Sequence, residues 1–307
     1  MPQSTIPHTD KPRQRPGLAL IVRLFAVLGW ATMVMLIKLA SERNVDLPQM
    51  LFVRQAVTIP ILLGWMAMRG NLGAMRTKRL KSHASRALAG TIGMVFNFAS
   101  PMLLPLAVAA TFGFTTPLFA VVLAFAVLRE HVGLWRWTAT FIGFLGILVV
   151  MNPFEFAISP LGTAVGICAA FMVALISIQI RDLSQTEDPI AIVTWFAIFS
   201  SPVLLMASFF TSWDLGAVDW LILLSIGLTG TVSQIMITVS LRLGSVSSVI
   251  VMDYSMLLWA TFYGWFVFGA FPPFTLWLGA PLIIAAGAII VWRERVLAKE
   301  NASRAMV

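Results

Sequence analysis

Charge is scarce in this sequence. Only 11% of its 307 residues are charged, where a soluble domain carries about 25%. Cysteine occurs once, at Cys168, so no internal disulfide is available. The three histidines, His8, His83 and His131, fall in predicted tails or loops. There is no His-Glu-x-x-His run, no Gly-x-Ser-x-Gly elbow and no phosphate-binding glycine loop. Adjacent acids occur only at Glu187-Asp188. These absences argue against a membrane enzyme and a nucleotide-driven pump. They leave no catalytic residue, no metal set and no cofactor to name. A channel would want a charged ring or a repeated filter, and neither is visible.

What is abundant is apolar. Hydrophobic residues make up 59% of the chain, more than a soluble fold can hide. In lipid, each backbone amide must be satisfied within the protein, which leaves helices or closed barrels. The apolar runs are continuous rather than alternating, so they read as helices of about twenty residues. Spans are expected at about 19–40, 47–68, 86–104, 106–128, 133–151, 161–181, 189–210, 218–240, 245–268 and 272–292. A tight hairpin at Pro101 and Pro105 separates the third from the fourth.

Basic residues orient these spans, because short cytoplasmic loops collect them. With the N-terminus inside, every Lys and Arg falls in a cytoplasmic tail or loop except Lys38, Arg43 and Arg54. Arg23, Arg86 and Arg181 are counted among the loop residues. Both termini are then cytoplasmic. The net charge of +8 reports this orientation rather than a nucleic-acid partner.

The two halves resemble each other at an offset near 140 residues. Pro48 and Pro60 match Pro189 and Pro202. Gly90, Gly93 and Asn97 match Gly227, Gly230 and Gln234. Ala107-Val108-Ala109-Ala110 matches Ser245-Val246-Ser247-Ser248, and Trp137 matches Trp277. Five spans per half is an odd number, so the second half inserts in the opposite direction. The expected fold is an all-α membrane protein: ten transmembrane helices as two inverted five-helix repeats. Such halves are characteristic of secondary transporters, with the substrate near the midplane between them.

The stretch Ala109-Ala110-Thr111-Phe112-Gly113-Phe114-Thr115-Thr116-Pro117-Leu118-Phe119 is followed by Leu128-Arg129-Glu130. Arg136-Trp137, Gly143-Phe144-Leu145-Gly146 and Asn152-Pro153 come next. In this order they resemble the EamA-type ten-helix branch of the drug/metabolite transporter (DMT) superfamily, including YddG-like exporters. Arg54, early in the second span, also fits. The likeness covers both halves but weakens in the second, where Glu130 and Pro117 have no counterparts.

The resemblance implies a carrier in the bacterial inner membrane that exports amino acids, aromatic or broad in range, or related metabolites. Import of riboflavin or S-adenosylmethionine is the alternative. It also implies a cavity lined by spans 1, 3, 4, 6, 8 and 9. Residues 1–18 read as a disordered basic cytoplasmic tail, 19–152 and 153–295 as the two repeats, and 296–307 as a cytoplasmic tail. The expected partners are a small-molecule substrate, the lipid bilayer and protons, and the sequence leaves the oligomeric state open between a monomer and a larger assembly.

Candidate residues follow from polarity within spans. Asp253 is the only acid well inside one, and is the candidate for proton coupling or for holding a substrate amine. Arg54 reads as a structural charge. Asn97 and Gln234 are amides at equivalent positions. Thr115 precedes Pro117, where a broken helix frees carbonyls. Trp30, Phe114, Tyr254 and Trp259 complete the expected cavity. Pro60, Pro117 and Pro202 are the candidate hinges.

Overall fold

A computed structural model of the chain describes residues 15–103, 133–151 and 160–269, with scattered positions in 112–123 and 274–296. Among the described residues it is helical throughout, with no strand. The helices are α1 (Pro16–Glu42), α2 (Leu47–Met68), α3 (Leu80–Leu103), α4 (Leu134–Met151), α5 (Pro160–Leu183), α6 (Pro189–Ser208) and α7 (Ala217–Leu243). A one-turn helix α8 (Val246–Val249), a 3-10 segment (Ile250–Ser255) and α9 (Met256–Phe268) follow. Among the described residues, six segments are long and apolar enough to cross a bilayer: α1, α2, α5, α6, α7 and Ile250–Phe268. α3 continues through Pro101 to Leu103, and the rest of the expected hairpin, with Pro105, lies outside the described residues, as do Phe114, Pro117 and Glu130.

Local chemistry sets the helix starts. The Asp46 backbone N–H donates to Gln49 Oε1 at 2.9 Å, and Pro48 stands in the first turn of α2. At α6 the Ile190 N–H donates to Asp188 Oδ1 at 2.8 Å, with Pro189 at the first helical position. Proline there loses no hydrogen bond, since the first N–H groups have no helical partner. The helices continue through Pro60 and Pro202, the two described candidate hinges. In apolar surroundings, hydroxyls bond back to the preceding turn, as Ser177 does to the Val173 carbonyl and Thr238 to that of Gln234.

The packing has a twofold character. α1 lies along α7, and α3 lies along α5. α2 packs on α6, while α2 also meets α7 and α3 meets α6. Exchanging α1, α2 and α3 with α5, α6 and α7 maps this set of contacts onto itself. The directions are fixed by cross-links. Gln49 reaches the Ser212 carbonyl at 2.6 Å and Gln55 reaches Ser200 Oγ at 2.5 Å, so α2 and α6 run antiparallel. Arg43 meets Asp219, while Arg15 N–H donates to the Leu243 carbonyl, so α1 and α7 are antiparallel too. The glycines that match by offset occupy matching places. Gly227 and Gly230 face α2 and α1 at Val57, Arg54 and Met33, while Gly90 and Gly93 face α6 and α5 at Phe196, Ile176 and Met172. Large apolar side chains such as Phe25, Met68, Leu221 and Phe266 are exposed on the outside, where lipid would meet them.

Three basic residues expected in tails or loops are corrected here. Arg23, Arg86 and Arg181 are buried within α1, α3 and α5. Arg181 uses Nη1 to cap the end of α7, donating to the carbonyls of Leu241 at 2.7 Å and Arg242 at 2.9 Å. A cation there also suits the negative end of the helix dipole. α3 begins at Leu80, six residues before its expected span, which draws Arg86 inside. The ninth expected span is also not one helix. It runs from α8 through the 3-10 segment to α9, and Asp253 sits in the break.

Candidate functional site

A cavity of about 240 Å³ opens between the two sets of helices. Its lining comes from α1, α3, α5, α7, the 3-10 segment and α9, with Gly113 and Thr116 and one residue of α6, Phe196. Most of the wall is apolar, with a few polar groups, which is the usual character of a ligand pocket.

Trp30, Asn97, Gln234 and Asp253 meet in this cavity. Asn97 and Gln234, equivalent by offset, thus look into one space from α3 and α7. Three further candidates lie elsewhere. Thr115 donates to the Phe112 carbonyl at 2.7 Å and is not in the wall, although its neighbour Thr116 is. Tyr254 is buried, donates to the Thr140 carbonyl at 3.0 Å and rests against Gly143 of α4. Trp259 also lies outside the wall.

Asp253 does not stand alone. Arg23 Nε donates to its Oδ1 at 2.6 Å and Arg23 Nη2 to its Oδ2 at 2.5 Å. This two-pronged pair joins α1 to the broken segment and occupies the carboxylate. Sequence reading missed it because Arg23 counted as a tail residue.

Arg54 is buried at the crossing of α1, α2, α3 and α7. Nη1 lies 3.1 Å from Met94 Sδ and 3.4 Å from Gln55 Oε1, and Nη2 lies 3.3 Å from Gln234 Oε1. The Trp30 ring is 5.8 Å away. Thr58 and Thr231 share a 2.6 Å hydrogen bond one turn further along α2. The interface between the two sets of helices is therefore polar at its centre. Arg54 braces it and also fixes Gln234, which lines the cavity.

Arg86 is the other residue that sequence reading missed. It is 2% exposed, it lines the cavity, and its guanidinium lies 4.2 Å from the Phe196 ring. Among the described residues no acceptor meets its Nε or Nη1.

One end of the bundle is held by a separate cluster. Arg79 pairs with Asp182, and Thr77 Oγ1 donates to Glu187 Oε1 at 2.7 Å. Beneath them His83 is buried, 3.9 Å from Glu187 and ring to ring with Trp195 at 6.0 Å. Burial pushes the His83 pKa below its ordinary 6.5, opposed by Glu187 and aided by Arg79 and Arg86. The unfolded chain thus takes up a proton that the folded chain resists. Stability is full above about pH 6.5 and falls as pH drops below it. Thermal unfolding in detergent should show a melting temperature that declines between about pH 6.5 and 5. His83→Leu should flatten that slope, and an unchanged slope would clear His83 of it.

Three comparisons place the chain. The sequence profile of the EamA-like transporter family matches it twice, at residues 17–152 and 160–292. The chain belongs to that family, within the drug/metabolite transporter superfamily, and is a membrane transporter. It is similar to a riboflavin transporter of Vibrio cholerae, 29% identical over 81% of this chain and 84% of the relative. A riboflavin transporter of Rhizobium johnstonii is 30% identical over 74% of this chain and 75% of its own. A pseudopaline exporter of Pseudomonas aeruginosa is 26% identical over 86% and 93%. A crystal structure superposes with a TM-score of 0.75 at 19% identity, covering 92% of this chain and 99% of the other. That likeness establishes the fold.

Proposed function

We propose that this protein is a secondary transporter of small metabolites with an aromatic or apolar body. It works by alternating access between two inverted five-helix halves, ten helices in all, with both termini cytoplasmic, in a bacterial inner membrane. The observation that carries this reading is the shared cavity, into which Asn97 and Gln234 look from equivalent helices of two matched repeats. The antiparallel run of α2 and α6, the second helix of each repeat, supports the inversion. Trp30, Asn97, Gln234 and Asp253 contact the substrate in this reading. Thr115, Tyr254 and Trp259 support the cavity from outside its wall, and Pro60 and Pro202 flex.

The names of two relatives make riboflavin the first substrate reading. Amino-acid export is the second, favoured by the two amides, which suit a zwitterion. Purified protein in liposomes should carry radiolabelled riboflavin or aromatic amino acids down their gradients, above protein-free vesicles. An imposed pH gradient should drive accumulation if protons are coupled. No flux of any compound by correctly folded protein would sink the transport reading.

A further inference from the structure

Arg86 points the wrong way for a residue near a helix start. Side chains on a helix lean toward its N-terminus. An arginine six residues into α3 would by default run back toward the helix end and the water beyond it. Here the guanidinium folds toward the middle of the helix. A Cβ at Gly90, one turn further in, would stand 2.2 Å from Arg86 Nη1 and 2.6 Å from the Phe196 ring. The missing side chain at Gly90 is what lets the arginine lie inward, pressed between its own helix and Phe196.

The charge held there is not balanced. The cavity wall holds Arg23, Arg86 and Asp253 among the described residues, and Arg23 and Asp253 are spent on each other. Arg86 donates no hydrogen bond among the described residues, and its buried Nε and Nη1 have no acceptor. The positive charge of Arg54 acts on it as well. A cation without a counter-charge in low dielectric is costly, and buried polar groups left unmatched call for a reason. Ser100, on the same side of the cavity wall, also presents a buried hydroxyl without a partner.

We propose that Arg86 is the receptor for an oxyanion, a carboxylate or a phosphate, carried on the transported molecule. Gly90 turns the guanidinium inward, and Phe196 backs it. The apolar wall, with Val27, Trp30, Met94, Val173 and Ile176, takes the body of the ligand. This deepens the transport reading and rests on it for the word transported. Within that reading it ranks anionic metabolites above neutral ones of the same shape. A guanidinium matches the two oxygens of a carboxylate or phosphate through paired N–H donors.

The test is binding by the full chain in detergent, measured as thermal stabilisation across a titration. Two matched pairs serve as probes: 3-phenylpropionate against 3-phenylpropionamide, and riboflavin 5′-phosphate against riboflavin. Within at least one pair the anion should bind about tenfold tighter or more, as a charge-assisted hydrogen bond implies. Preference in the first pair alone marks a carboxylate, in the second alone a phosphate. Arg86→Gln should bring the anion down to the affinity of its neutral partner. Gly90→Ala, which displaces the guanidinium, should weaken the anion more than the neutral compound. The wild-type comparison stands by itself if a variant fails to fold. Equal or better binding of both neutral compounds overturns the proposal, as does no anion binding at all. So does an anion preference that survives Arg86→Gln in folded protein. Because binding is read without flux, anion-selective binding by a protein that moves nothing would refute transport and keep the receptor.

Discussion

Asp253→Asn should lower the melting temperature in detergent by more than replacing Arg23 and Asp253 together with Met and Leu. The single change leaves the Arg23 guanidinium, 3% exposed, without its carboxylate. Breaking one side of a buried ion pair costs roughly 3–5 kcal/mol. Asp253 keeps about a quarter of its side chain accessible, 23%, so the lower part of that range applies. The double change removes both charges and restores an apolar contact between α1 and the broken segment, which offsets much of the loss. A thermal-shift cycle over wild type, both singles and the double measures it. If the double is as unstable as the sum of the singles, the two residues are not coupled.

The same variants separate structure from mechanism. In the double variant the fold is held and the acid is gone. Proton-driven accumulation should vanish there if Asp253 couples protons, while exchange down a gradient is reduced but not abolished. Accumulation that survives would leave Asp253 as a brace between α1 and the 3-10 segment.

The second large effect is expected at Gly227. A Cβ there would meet Val57 Cβ at 2.7 Å, Cγ1 at 2.9 Å and Cγ2 at 3.0 Å. A valine on a helix has one strongly preferred rotamer and its branch point is close to the backbone. Nothing at this contact can swing aside, so α2 and α7 themselves must part. Gly227→Val should cost about 3 kcal/mol, the upper part of the range for overpacking. It should also loosen the Thr58–Thr231 bond nearby. Gly64 in α2 is the control, since nothing lies within 4 Å of its Cβ position. Gly64→Ala should be neutral or stabilising by up to about 1 kcal/mol, because alanine is the better helix former. Melting temperatures of the two variants decide the matter. Equal effects at both glycines would mean the close crossing of α2 and α7 is not a constraint.

Much of this interface could be read in the sequence. The offset that pairs Gly90, Gly93 and Asn97 with Gly227, Gly230 and Gln234 also pairs their surroundings, because each set faces the first two helices of the opposite repeat. Arg54 was visible because a charge among apolar neighbours has no bland explanation far from a helix end. Arg23 and Arg86 were hidden for the complementary reason. Counting basic residues treats any arginine near a span end as loop, and only the direction of the side chain tells the two apart. One signal was available: a glycine four residues after Arg86 leaves room on the inward side. The break in the ninth span had no signal of this kind. Residues 245–263 contain neither glycine nor proline, so the 3-10 turn at Asp253 is set by tertiary contacts, among them the bond from Arg23 and the seat of Tyr254 against α4.

The unbalanced interior has an electrical consequence. Arg23 and Asp253 cancel, but Arg54 and Arg86 have no carboxylate against them among the described residues. A charge carried through the membrane potential does work of about 2.3 kcal/mol per 100 mV. If the cavity changes the side it faces with Arg86 in its wall, that charge moves through part of the field, and an anion in the cavity would offset it. With the ligand's charge set against that of Arg86, the field would act chiefly on the return of the empty protein. Voltage would then set the pace of a cycle whose cargo crosses close to neutral.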